Sequence, residues 1–486
     1  MSDRKMSTWL WTCDDMVEAM EGRPVGTFPV GITGISIDSR TLKPGEAFFA
    51  IKGDQFDGHD FATSAMAAGA GLLVVAEHRL PAFGNVKVPM IVVDDVLEAL
   101  TKLGVASRAR SKAQIIAVTG SVGKTTTKEA LRHVLSEEGK VHASVASFNN
   151  HWGVPLTLAR MPHDTDYGIF EIGMNHADEI RPLVKMVRPH IAMITLVAPA
   201  HLGHFANLEE IASAKAEIFE GIVPGGYALL NRDDKRFKQL EELATQAGVE
   251  HIVTFGENAR SNYRLRDVKL HAACSCMTVK IGNDEALVKV GMPGRHIVQN
   301  MLAVLGAADL AGADVAKVTL AMATLSAEGG RGARHVLQHS DGGTFTLIDE
   351  SYNANPTSMR ASLALLQTTP PENAPRGQKG RRIAVLGDML ELGRQSGKLH
   401  ADLARPIVDA DVNALFIAGH EMSVLKNALP VEIHTEYRQS TEELLPLVVK
   451  AVRPGDVIMV KSSQGVGFAK IVKALTAKFP PVVAAE

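Results

Sequence analysis

Three cysteines in 486 residues, Cys13, Cys274 and Cys276, cannot all pair internally, and no further cysteine is present to complete a zinc cage around Cys274-Ser275-Cys276. A disulfide framework is therefore excluded, and a reducing compartment fits best. Neither sign of charge dominates: 51 Lys and Arg against 54 Asp and Glu leave a formal net charge of -3. Such a balance gives no reason to expect a nucleic-acid partner. No segment reaches the roughly 18 uninterrupted apolar residues of a membrane span, and the opening MSDRKMSTWLW has no apolar core long enough for a secretion signal. Any membrane contact would be peripheral. The Asn-Lys-x-Asp signature of guanine readers is missing too, and no internal repeat is visible.

What is present is enough for a large enzyme. Hydrophobic residues make up 46% and charged residues 22% of the chain, and its length suggests roughly three domains. The first ~110 residues mix short strand-like runs, Ala47 to Ile51 and Gly71 to Ala76, with Gly/Asp loops, which reads as a small α/β domain. From Ile115 the runs IIAVT, YGIFEI and IAMITLV alternate with helical stretches, one through Leu135, one near Asp178 and one from about Leu208 to Ile222. That alternation predicts a mostly parallel sheet with helices on both faces. A Gly/Arg cluster at 327 to 334 marks a second boundary, after which α/β alternation resumes in TFTLIDE, RRIAVLGD, ALFIAG and GDVIMVKSS. The expected fold class is α/β in three domains, 1–110, 111–330 and 331–486. The Pro-rich stretch 367 to 382 reads as a surface loop and PPVVAAE as a frayed tail.

The chemistry concentrates in AVTGSVGKTTT, residues 117 to 127. Gly120 and Gly123 allow a tight turn whose N–H groups, with those of Ser121, Val122 and Thr126, face phosphate oxygens ahead of a helix N-terminus. Lys124 would neutralise the terminal phosphates and Thr125 would ligate Mg2+. Val118 stands where the common motif has its first glycine, so an ordinary strand-to-helix turn is the competing reading. Glu171 ends the next strand at the edge where ligands bind in parallel sheets, and could complete the metal shell. His201 follows the third strand at that edge; His176 and His204 read as loop histidines. Lys215 lies on a helix where a lysine is usually a solvated surface residue. Asn300, in an apolar helix, could read an adenine edge or satisfy a buried contact. Asp349, Tyr352, Asn353 and Asn355 crowd a turn before Pro356 that serves either turn chemistry or binding.

These motifs, with DSRTLKPGEAFFAIKGDQFDGHDF, SFNNHWGVPLTL, IDESYNANPTSMRASL and VLGDMLELG in order along nearly the whole chain, resemble those of the Mur ligases of peptidoglycan synthesis. SFNN with YNANP points to the dipeptide-adding member of that family. The resemblance implies an N-terminal domain for the UDP end of the substrate, a central P-loop ATPase domain and a Rossmann-like C-terminal domain. It implies that ATP phosphorylates the terminal carboxylate of a UDP-N-acetylmuramoyl tripeptide, and that the amine of D-alanyl-D-alanine attacks the acyl phosphate. Carried across by motif, Lys124 and Thr125 hold phosphates and one Mg2+, Glu171 ligates metal, and His201 belongs to a second metal site. Lys215 matches a lysine that many relatives carry as a carbamate. Asn300, Arg331 and Asp349 match nucleotide contacts, Ser39 and Arg40 would lie near the uridine diphosphate, and Asn149, Asn150, Asn353 and Asn355 are candidates for the peptide and dipeptide. The pathway implies a bacterial cytoplasmic setting, and a monomer is expected. Two departures stand out: Ser462 and Gln464 replace the Gly and Arg of a late Lys-Gly-Ser-Arg pattern, and AHLGHFAN lacks the Glu-Gly common after His-Leu.

Overall fold

The computed structural model describes residues 9–83, 88–373 and 377–482. Most of the opening MSDRKMSTWLW, part of the Pro-rich loop and most of the expected frayed tail lie outside these residues. Among the described residues no helix is long and apolar enough to cross a membrane. The chain forms three main sheets in succession.

The N-terminal sheet has five strands in the order Arg23–Val25, Met90–Val93, Leu72–Ala76, Ala47–Phe49, Ile35–Ser36, of which only the first pairs antiparallel. Helix Val96–Arg110 starts at Asp95, whose side chain accepts from the Glu98 N–H, and its buried face joins Leu156 and Ala159 of the following region in one core. Gly104 allows that approach, since a Cβ there would come within 3.1 Å of the Pro155 carbonyl. Trp11 Nε1 donates to the Ala159 carbonyl at 2.8 Å, Arg160 Nε donates to Ile35 O at 2.7 Å, and Arg110 stacks on the Trp11 ring at 3.4 Å. The small domain is thereby fastened to the central one by polar as well as apolar contacts.

The central sheet has nine strands, and strand Gln114–Thr119 lies in it between Tyr167–Glu171 and Ile191–Ile194, parallel to both. All but the first residue of Gln114–Thr119 are buried, as expected of a strand covered on both faces. Helices Lys124–Leu135 and Arg295–Leu310 cover one face; Ile180–Val187, Leu208–Ala216 and Phe237–Gln246 cover the other. Two features were not anticipated: an edge strand, Val141–Ala143, and an antiparallel extension in which Tyr263–Leu270 pairs with Ser275–Ile281 and that strand with Asp284–Val290. Helix 208 to 222 is also shorter than expected. It stops at Ala216 and tightens to a 3-10 turn over Glu217–Gly221, because the Glu217 carboxylate accepts from the Asp178 and Arg181 N–H groups and so caps the neighbouring helix.

The C-terminal sheet runs Ala333–Gln338, Thr344–Glu350, Val457–Lys461, Arg382–Gly387, Ala414–Ala418, His434–Arg438, antiparallel at the first pair and parallel thereafter. Helix Pro356–Thr368 opens with a reciprocal capping box between Asn355 and Ser358 and with Pro at its first turn. Leu302, wholly buried in the central core, tests the packing of helix Arg295–Leu310. Leu302→Ala is expected to cost about 2–5 kcal/mol through cavity formation, read as a lower midpoint in urea unfolding; an unchanged midpoint would show the helix to be a loose cover.

Candidate active site

Gly120 and Gly123 adopt φ values of 152° and 87°, in the region open to glycine. Space requires glycine there as well. A Cβ at Gly120 would lie 1.9 Å from Thr195 Oγ1, and one at Gly123 would lie 2.7 Å from Asn300 Oδ1. The loop is pinned from outside: Thr195 Oγ1 donates to Val122 O at 2.6 Å, and the Ser121 N–H donates to Leu196 O at 2.8 Å. Val118, in the place of the usual first glycine, is a buried strand residue, so the turn begins two residues later than in the common motif. Lys124 Nζ folds over the loop to donate to Gly120 O at 2.8 Å. Burial pushes its pKa down, a tendency that Glu171 opposes and Arg331 reinforces.

Residue 171 pairs with residue 118 in parallel register, which carries Glu171 to the same sheet edge as the loop. Its carboxylate, 1% exposed, accepts from Thr125 Oγ1 at 2.8 Å and from Asn149 Nδ2 at 2.7 Å. Both donors are neutral, so this buried carboxylate has no ion-pair partner among the described residues. A hydroxyl and a carboxylate in contact form an oxygen donor set that suits Mg2+. Among the described residues, no three or more His, Cys, Asp or Glu side chains cluster as a ready metal cage. His201 takes a left-handed φ of 57° and points across to the C-terminal domain, its Nδ1 2.6 Å from Glu391 Oε2. The Gly203 N–H donates to Glu391 O at 2.9 Å beside it. Burial lowers the His201 pKa, with Glu391 acting in the opposite sense.

Lys215 corrects the surface reading: it is 2% exposed. Its ammonium has no hydrogen-bond or ion-pair partner among the described residues. Desolvation, then repulsion from Lys124, drives its pKa well below the ordinary 10.5. The sequence could not show this, because residue spacing alone does not reveal that the 3-10 turn after Ala216 tucks the helix end against the sheet.

A cavity of about 860 Å3 joins the loop to the C-terminal domain, and Ser121 to Thr126, Asn149, Asn150, Glu171, His201, Asn300, Arg331, Asn353 and Asn355 all reach it. Several of these side chains are also bound locally. Asn150 Oδ1 accepts from the Gly153 N–H, Asn353 Oδ1 from the Ala354 N–H and Asn355 Oδ1 from the Ser358 N–H, so turn chemistry and a place in the cavity coexist. The Arg331 guanidinium lies 4.0 Å over the Tyr352 ring, and Tyr352 Oη donates to Ser147 Oγ at 2.8 Å. Asp349 does not line the cavity; its carboxylate accepts from the Gly330 and Ser351 N–H groups and holds the turn that presents Arg331. Ser39 and Arg40 do not line it either, and exposed Arg40 is clamped by Asp38 at 2.7 Å. Of the two departures, Gln464 faces the cavity while Ser462 is wholly buried.

Three contributors went unremarked in the sequence. Lys461 and Glu350 form a buried ion pair at 3.1 Å, legible only through the pairing of their strands. His296 lines the cavity one turn before Asn300. Lys128, wholly buried, donates to the Ser144 and Ala146 carbonyls at 2.7 Å and so anchors the loop leading to Asn149; its place in the run KTTTK was the available signal.

The fold and the nucleotide-facing edge together define an ATPase-type α/β ligase, and three family models match it in order. Residues 31–108 match the Mur ligase family catalytic domain, 118–308 the Mur ligase middle domain, and 334–464 the Mur ligase glutamate ligase domain. The chain belongs to the Mur ligase family. Among its relatives is the UDP-N-acetylmuramoyl-tripeptide--D-alanyl-D-alanine ligase of Rickettsia prowazekii, 33% identical over 91% of this chain and 95% of that protein. The Escherichia coli protein of the same name is 30% identical over 96% of this chain and 98% of its own length. The crystal structure of MurF from Acinetobacter baumannii, 29% identical, superposes with a TM-score of 0.82 over 96% of this chain and 99% of that one.

The isolation of Lys215 yields a test of sign. With its pKa depressed on folding, the unfolded chain binds the proton that the folded protein rejects, so stability rises with pH toward 10.5. In CO2-free buffer Lys215→Met is therefore expected to be more stable than the parent at pH 7, with the gap narrowing by pH 10 in urea titrations. A gap that stays constant would show the ammonium to be solvated.

Proposed function

We propose that this protein ligates D-alanyl-D-alanine to a UDP-N-acetylmuramoyl tripeptide at the expense of ATP, through an acyl phosphate, giving the UDP-pentapeptide. The observation that carries this reading is the meeting of a phosphate loop, a buried Thr125–Glu171 contact and the Asn-rich turns 149–150 and 353–355 around one cavity. A P-loop switch would have no use for the second set. The names of the relatives over nearly full length support the particular substrates.

On this reading the loop N–H groups and Lys124 hold the β- and γ-phosphates in line with the tripeptide carboxylate. That carboxylate attacks the γ-phosphorus and ADP leaves. The dipeptide amine then attacks the acyl carbon, loses its proton, and the tetrahedral intermediate expels phosphate. No side-chain nucleophile is needed; positioning and charge neutralisation suffice. Thr125, Glu171, His201 and a carbamylated Lys215 would hold Mg2+, as two ions. Bound there, Mg2+ supplies the positive charge that offsets the growing charge on the transferred phosphoryl group. An unprotonated, buried Lys215 amine is the form that adds CO2, and the carbamate replaces a repelling cation with oxygen donors. Asn300 beside the loop and Arg331 across from it are assigned to the nucleotide, with Asp349 supporting Arg331. Ser39 and Arg40 are assigned to the uridine diphosphate, and Asn149, Asn150, Asn353 and Asn355 to the peptide and dipeptide. Domains of 1–110, 111–330 and 331–486, hinging near 110 and 330, would close the cavity against water. A monomer in the bacterial cytoplasm completes the proposal.

Phosphate release by the purified protein should require Mg2+, ATP, UDP-muramoyl tripeptide and D-alanyl-D-alanine together, with the pentapeptide mass appearing; release without the dipeptide would count for a hydrolase. Lys124→Ala should lower kcat by at least ~100-fold, the scale for losing one preorganised electrostatic group. Scattering profiles of free and ligand-saturated protein should differ if the hinges operate, and matching profiles would remove them.

A further inference from the structure

Far from the nucleotide edge, the antiparallel extension of the central sheet carries a second hollow, of about 470 Å3, for which the ligase reading has no use. Its polar lining is Ser261, Asn262, Tyr263, Arg264 and Lys280, and Val253 and Leu310 contribute apolar wall. No carboxylate lines it.

Arg264 and Lys280 stand directly opposite one another in the antiparallel register of Tyr263–Leu270 and Ser275–Ile281. Directly opposed residues share a face, with Cβ atoms about 5 Å apart, and like charges so placed destabilise a sheet. Neither cation has an ion-pair partner among the described residues. Glu285, the cross-strand neighbour of Lys280 on its other side, lies instead 3.5 Å from Arg266 Nε. Two further polar atoms are without partners: Arg264 Nε and Ser261 Oγ are both buried with no hydrogen bond. Asn262 spends its carbonyl oxygen on Thr254, accepting from the N–H at 2.9 Å and from Oγ1 at 2.8 Å, which leaves the donor half of its amide. The Tyr263 hydroxyl is committed to Asp309 at 2.6 Å.

The hollow thus combines two cations without ion-pair contacts among the described residues, a guanidinium N–H and a hydroxyl without acceptors, and an apolar wall. We propose that it binds a small phosphorylated metabolite, its phosphoryl oxygens accepting from Arg264 and Ser261 beside Lys280, and its organic part resting against Val253 and Leu310. Guanidinium forks favour such oxyanions, and charge-assisted bonds are about twice as strong as neutral ones. The volume suits a compact organic phosphate. Leu310 ends the helix that carries Asn300 ten residues earlier, roughly 15 Å away along the axis, so an occupant would touch the far end of an element that also borders the phosphate loop.

The test titrates inorganic phosphate and glucose 6-phosphate into the full chain by calorimetry, with the phosphate loop filled by a non-hydrolysable ATP analogue and Mg2+. Saturable binding is expected, tighter for glucose 6-phosphate, and weakened at least tenfold in Arg264→Gln/Lys280→Gln. Without anion that double variant should melt at or above the parent temperature, because the repulsion is gone, while added phosphate raises only the parent's melting temperature. Heat that vanishes once the loop is filled, binding unchanged in the double variant, or a lower melting temperature for that variant would each overturn the proposal. Acetate or citrate binding as tightly as phosphate would overturn the phosphoryl assignment.

Discussion

The parallel pairing of Gln114–Thr119 with Tyr167–Glu171 on one side and Ile191–Ile194 on the other is the constraint from which the site follows. All three strands end at one edge, so the loop after the first, the carboxylate ending the second and the segment after the third meet without long-range design of the backbone. Ligands collect at such edges because helix N-termini and strand ends converge there. The Thr125–Glu171 hydrogen bond is the local expression of that register. Slipping the pairing by one residue would turn Glu171 to the other face and leave a carboxylate in the apolar core.

Charge is distributed around this edge at a cost to the free protein. Lys215 is buried and half-buried Lys124 lowers its affinity for protons, Arg331 adds repulsion at Lys124, and Glu171 supplies a buried negative charge. A polyphosphate and divalent cations brought into the cavity would relieve both imbalances at once, which is the electrostatic sense in which the arrangement is poised for binding rather than for maximal stability. Other buried charges are settled internally. Lys461 is neutralised by Glu350, and Lys128 bonds two carbonyls as well as Glu129.

Much of this was legible in the residues. The loop, its helix and the positions of Glu171 and His201 follow from apolar runs punctuated by glycine and from the rule that places ligands at strand ends. The strand Val141–Ala143 was not legible because three half-buried residues carry no pattern; in the antiparallel extension Ser275–Ile281 does alternate, but its neighbours are largely exposed and the first is broken by a bulge between Leu265 and Asp267. Lys215 misled for a different reason: a lysine among alanines and glutamates on a short helix has the composition of a surface residue, and only the packing of Ile211, Ala212 and Ala214 against the sheet buries it. The Asn-rich turn offered turn chemistry or binding; Asn355 does cap a helix, and it also lines the cavity.

The sequence by itself determined the α/β class, the phosphate-loop geometry and membership of a ligase family, because these rest on local period, on glycine positions and on motifs in order. Tertiary structure alone decided that Lys215 is isolated from solvent, that His201 reaches Glu391, that Asp349 supports Arg331 rather than facing the cavity, and that Arg264 opposes Lys280. Each of those depends on distances between segments far apart in the chain, and such distances are set by strand register and domain packing, to which residue spacing is blind.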